Sequence, residues 1–181
     1  RSLGAPGHGH SRGKQTDPYR FAEALIDVSA HVGTLYGAVG HSMGGGSIAL
    51  ALSSGLSLSR AAIIASPSSL HDVLHRFSAA MHLPPKATDH FVRDARRRIV
   101  ARGYRTDDIE GALRAVTVPA LVVHARDDKE VPFADAERIA GFWPGSTLLP
   151  VERVGHRRIL RDPITIAAIT EYLGAGLPRE D

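Results

Sequence analysis

Apolar positions along the chain switch between two periods, and the switches lay out its elements. Phe21, Leu25, Val28 and Val32 recur at helical spacing after Asp17-Pro18 and before Gly33, which predicts a helix over residues 18–32. Residues 34–39 are a short apolar run bounded by glycines, the pattern of a buried strand, and residues 47–52 are short-chained and helix-compatible. Residues 60–65 read as a second buried strand, ended by Ser66-Pro67. The alternation then breaks. Leu70, Leu74, Phe77 and Met81 form an apolar stripe on one helix, Pro84-Pro85 interrupts it, and Thr88 is expected to cap a further helix carrying Phe91, Ala95 and Ile99. It resumes with a strand at 118–124, a helix at 133–140 ended by Gly141, a strand at 147–151, and a helix at 163–173 set between Asp162-Pro163 and Gly174.

Repeats of this kind predict an α/β fold: a parallel sheet of about four strands with flanking helices on both faces and right-handed crossovers. The length of 181 residues suits a single domain over residues 1–181. The helices at about 68–111 read as a helical cap insertion, and residues 178–181 as a loose tail.

The junction between the first strand and its helix is Gly40-His41-Ser42-Met43-Gly44-Gly45, which puts a serine on a sharp strand-to-helix turn. A nucleophile elbow of the G-x-S-x-G type needs that context. Gly40 and Gly44 lack Cβ atoms, which are expected to collide where strand and helix converge. The Met43 N–H, at the start of a helix, is placed to donate to a developing oxyanion. Two later strands run out into His124-Ala125-Arg126-Asp127-Asp128 and into Gly155-His156. Reactive groups gather at the carboxyl ends of parallel strands, so a carboxylate and an imidazole are brought toward the serine in the chain order Ser, Asp, His.

In these residues the chain resembles an α/β-hydrolase-fold family of the bacterial lipase and esterase type. Pro6-Gly7-His8-Gly9-His10-Ser11 is similar to the family's P-G-H-G-x-S loop, and Gly40 to Gly45 matches its G-H-S-M-G-G elbow. The segment from His124 to Pro132 is similar to its H-G-x-x-D-x-x-V-P acid motif, and Gly155-His156 to its terminal G-H. Ala125 departs from the usual glycine, and Ala5 stands where the family often has an acid.

The resemblance implies a serine hydrolase that cleaves carboxylic esters through an acyl-enzyme on Ser42, with His156 carrying the proton and Asp128 orienting the imidazole. Spacing from His124 and Val131 favours Asp128 over Asp127, which is left to cap the loop. Met43 is the implied oxyanion donor, and His41, Leu74, Phe77 and Met81 are the expected substrate-contacting residues. Thioesters, lactones and carbon-carbon bonds yield to the same triad. The resemblance also implies an N-terminally truncated chain, lacking the family's first strands and the loop that donates the second oxyanion N–H. The alternative reading is therefore a catalytically impaired fragment or a non-catalytic binding module, with an open sheet edge suited to self-association.

Composition changes this picture little. With no cysteine there is no disulfide, thiolate zinc site or cysteine nucleophile. A net charge of +3 implies no nucleic-acid partner, and no apolar run implies a membrane span or signal peptide, so a small-molecule substrate and a cytoplasmic location are expected. No cofactor is expected. His71 and His75, and His8 and His10, have ligand-like spacing but no glutamate or third ligand beside them, and they read as solvated histidines rather than a metal site. Arg93, Arg96, Arg97, Arg98 and Arg102 read as the solvated face of the second cap helix.

Overall fold

A computed structural model describes residue 11, residues 17–104 and residues 109–175. The loop carrying His8 and His10 and the tail at 178–181 lie outside the described residues. The sheet has four parallel strands in sequential order: β1 (Leu35–His41), β2 (Leu58–Ile64), β3 (Ala120–Ala125) and β4 (Ser146–Val151). Register runs His41 against Ile64, Ile64 against Val123, and Ala125 against Val151, so all four strands end at one edge of the sheet.

Two apolar layers hold the sheet. Alternate residues of β2 and β3, Ala61, Ile63, Ala120 and Val122, face a core shared with α1 (Pro18–Val32), α2 (Met43–Ser53), α5 (Ile109–Arg114) and α6 (Phe133–Phe142). The intervening residues Ile64, Leu121 and Val123 face a second core with Val151, Ile159 and α8 (Pro163–Gly174). Period-two alternation with both faces apolar is the signature of a strand buried on both sides. The α2 helix can be this deep because Gly45, Gly46, Ser47, Ala49 and Ala51 are small, and all are buried. Asp17 caps α1 by accepting from the N–H groups of Tyr19 and Arg20 at 3.0 and 2.9 Å.

Between β2 and α5 lie α3 (Leu70–Ala80) and α4 (Pro85–Ala101). Here the sequence reading needs correction at the start of α4. Thr88 is not its cap; the helix begins at Pro85, with Pro84 as the flanking residue. Proline has the backbone angle of a first helical turn and no N–H to leave unpaired, so the pair that ends one helix starts the next. Gly141 likewise lies inside α6, and the turn that follows is made at Gly145, with φ +77°. The helix α5 was not foreseen; its Ile109 and Leu113 are buried in the first core.

Ion pairs tie α3 and α4 to the main layers. The buried carboxylate of Asp135 on α6 accepts from the Ser68 N–H at 3.1 Å and from the Ser68 hydroxyl, and it lies 3.2 Å from Arg76 on α3. Arg138 on α6 donates to Asp72 on α3 at 3.0 Å. Arg102, expected in a solvated face, instead reaches Asp17 and Glu23 on the α1 side at 2.9 and 3.0 Å. A guanidinium can serve two carboxylates at once, which a reading of one helix face does not reveal. Among the described residues no helix is long and apolar enough to cross a membrane.

Candidate active site

Ser42 follows β1 directly and precedes α2, with φ +55° and ψ −122°. That is a strained conformation for a residue with a side chain, and it is held by its surroundings. The Ser42 N–H donates to the Ile64 carbonyl at 2.9 Å, extending the β1–β2 ladder into the turn. A Cβ on Gly40 would lie 2.5 Å from the Gly44 carbonyl oxygen, so only glycine fits there. At Gly44 the expectation fails: a Cβ would meet nothing nearer than Phe21 at 3.5 Å, an ordinary contact. The tight position is Gly45, where a Cβ would approach Ile63 and Ser66 at 2.8 Å, because the helix meets β2 one residue later. Gly40→Ala is expected to destabilise the fold by about 2 to 3 kcal/mol, read as a lower urea midpoint with an unchanged slope.

The end of β3 supplies the carboxylate. Asp128 Oδ1 accepts from the N–H groups of Glu130 and Val131 at 2.8 and 2.9 Å, which fixes the plane of the group. Its other oxygen, Oδ2, accepts from His156 Nδ1 at 2.8 Å. Asp127 does not reach the imidazole; its side chain accepts from the Gly155 N–H at 3.1 Å and so caps the segment that carries His156. The fully buried His124 donates from Nε2 to the Val131 carbonyl at 3.0 Å and sits 3.4 Å from Asp128 Oδ2, bracing the acid turn from beneath.

His156 lies on a four-residue helix, α7 (Gly155–Arg158), in the segment that leaves the last strand. Gly155 enters it at φ +59°. Ser42, Met43 and His156 all border one cavity of about 740 Å³. Among the described residues the Ser42 hydroxyl makes no hydrogen bond to the His156 ring; contacts of this kind often tighten only around substrate. A hydroxyl, an imidazole and a buried carboxylate in this order can activate the hydroxyl for attack on a carbonyl carbon. The Met43 N–H is the first of α2, where backbone donors have no partner within the helix.

The cavity wall differs from the expected one. Phe77 lines it, whereas Leu74 and Met81 do not, and Met81 is 58% exposed. Leu70, Val73 and Ala80 take their place from α3, joined by Ile109 and Val131. The stripe was read as one face, but α3 presents to the cavity the face about one residue around from it. His41 is not a wall residue either; its Nε2 donates to the His156 carbonyl at 2.8 Å. Arg76 was missed entirely: it borders the cavity beside Lys129 and Glu130, and no apolar periodicity marks an arginine. His71 and His75 stack with ring centroids 4.3 Å apart, and the described residues contain no group of three or more potential ligands that could hold a metal ion.

The fold is that of the α/β hydrolases. The family model of the alpha/beta hydrolase family matches residues 3–169, and the chain belongs to that family. RutD of Pseudomonas savastanoi pv. phaseolicola, a protein named as a carbamate hydrolase, is 33% identical over 98 residues, which are 54% of this chain and 35% of that protein. The chain thus matches little more than a third of the length of that relative. Among solved structures, esterase RhEst1 from Rhodococcus sp. ECU1013 is 18% identical with a TM-score of 0.66, over 96% of this chain and 78% of that one. MGS-M2, an alpha/beta hydrolase enzyme from a deep-sea metagenome library, is 13% identical with a TM-score of 0.68 over the same shares. At these identities the structural likeness concerns the fold.

Proposed function

We propose that the chain is a serine hydrolase of carboxylic esters, with Ser42 as nucleophile, His156 as general base and acid, and Asp128 as the group that orients the imidazole. The observation that carries this reading is the 2.8 Å bond from His156 Nδ1 to a buried, doubly anchored carboxylate, with Ser42 and His156 on one cavity. In the first step Ser42 Oγ bonds to the ester carbonyl carbon and its proton passes to His156 Nε2. The C–O bond to the alcohol then breaks, and the alcohol leaves with that proton. Water enters, gives a proton to His156 and releases the acid, restoring the Ser42 hydroxyl. The Met43 N–H donates to the oxyanion of both tetrahedral intermediates, and the apolar wall from Leu70, Val73 and Phe77 receives the acyl chain.

A carbamate is the second substrate class, favoured by the name of the RutD relative. Attack on its carbonyl uses the same groups. A panel of p-nitrophenyl esters and carbamates, combined with a fluorophosphonate probe, tests the reading. The expected result is covalent labelling of Ser42 and faster turnover of esters than of carbamates. Absence of labelling on a folded chain would sink it in favour of a non-catalytic member of the family.

A further inference from the structure

We propose that His41 is a positioning residue: it ties the main chain of His156 to the turn that carries Ser42, and so fixes the direction in which His156 Nε2 meets the nucleophile. The inference rests on the roles just assigned to Ser42 and His156. A carbonyl oxygen can only accept, so the 2.8 Å contact between His41 Nε2 and the His156 carbonyl places the proton of His41 on Nε2. Two residues 115 apart in sequence are joined by this bond, and their rings pack at 4.7 Å between centroids with a 47° tilt.

Asp128 alone does not fix His156. A ring held only at Nδ1 keeps freedom to swing about that bond, because the helix beneath it has four residues and begins at a left-handed glycine. Asp127 holds the start of that helix at the Gly155 N–H, and the residue's own carbonyl is the further anchor, which His41 holds. His41 is in turn the last residue of β1, paired with Ile64 in the sheet and bonded covalently to Ser42. The imidazole is thereby referenced to the nucleophile through a single rigid element rather than through two loops.

The charge state of His41 suits this role. Burial holds its pKa below the ordinary imidazole range, and a positive charge on His156 pushes it the same way; its bond to the His156 carbonyl and the carboxylates of Asp128 and Glu130 oppose the shift. A neutral ring still donates from Nε2. When His156 becomes an imidazolium during turnover, the ring beside it therefore adds no second charge.

Two substitutions separate positioning from substrate contact. In His41→Gln the amide nitrogen can occupy the place of Nε2 and still donate; in His41→Leu the bulk is similar and the donor is gone. Misplacing a catalytic group by about 1 Å costs on the order of 100-fold. We expect His41→Leu to lower kcat and the rate of fluorophosphonate labelling by about 10- to 100-fold with KM within about 3-fold, and His41→Gln to recover most of that loss. Equal losses in both variants, or a change confined to KM, overturn the inference while leaving the roles of Ser42 and His156 intact. Histidine ring spectra of the folded chain decide the point even if Ser42 is never labelled. A neutral Nε2–H tautomer at His41, with the His156 ring resonances moved in His41→Leu and not in His41→Gln, supports it; an Nδ1–H tautomer overturns it.

Discussion

Replacing His156 with alanine is expected to lower ester turnover by about 10⁶-fold, to the level of Ser42→Ala and no further in the double variant. The hydroxyl of Ser42 is a weak nucleophile while it keeps its proton, and His156 is the imidazole that borders the same cavity. Under the proposed mechanism, removing either partner removes the same step, and the two losses are expected not to add. Burst kinetics with a p-nitrophenyl ester read this directly: the acyl-enzyme burst disappears in each single variant. If the single losses instead multiplied in the double variant, the two side chains would not be acting as a unit. Chain folding is readily controlled, because the hydrogen bonds of Ser42 among the described residues run through its backbone, from its N–H to Ile64 and from the Gly45 N–H to its carbonyl, and alanine keeps both.

The elbow was legible in the sequence because its constraints are local. Gly40 must be glycine to clear the Gly44 carbonyl, and a run of small residues must follow if the helix is to pack close against the sheet. The parallel sheet was legible for a similar reason: strands such as Ala120–Ala125, buried along their whole length, are apolar on both faces. What escaped notice is whatever depends on rotation or on distant partners. The stripe through Leu74 and Met81 has the right period, but period alone does not say which side of α3 meets the cavity, and Val73 rather than Leu74 does. Arg76 and Arg102 look like surface charges until α6 and α1 present Asp135, Asp17 and Glu23 to them. His41 is expected from the sequence to contact substrate, and period and motif give no sign of another partner. Its hydrogen-bond partner arrives from the other end of the fold.

Asp128→Asn is expected to lower kcat by about 10⁴-fold while leaving KM and stability close to those of the parent, and the anchoring of the acid says why. Oδ1 of Asp128 already accepts from two backbone N–H groups, of Glu130 and Val131. In the asparagine variant the carbonyl oxygen must stay there, since turning the amide would set its N–H₂ against two donors. The N–H₂ group is thus directed at His156 Nδ1, which can then no longer donate and must accept. An imidazole that accepts at Nδ1 carries its proton on Nε2, the atom to which the proposed mechanism passes the proton of Ser42. The ring remains in place in the wrong tautomer, so substrate binds and the chemistry stalls. Steady-state kinetics combined with ring nitrogen spectra of His156 check both halves of the prediction. A variant that lost activity while His156 kept its proton on Nδ1 would show that Asp128 acts through its charge rather than through the tautomer it selects.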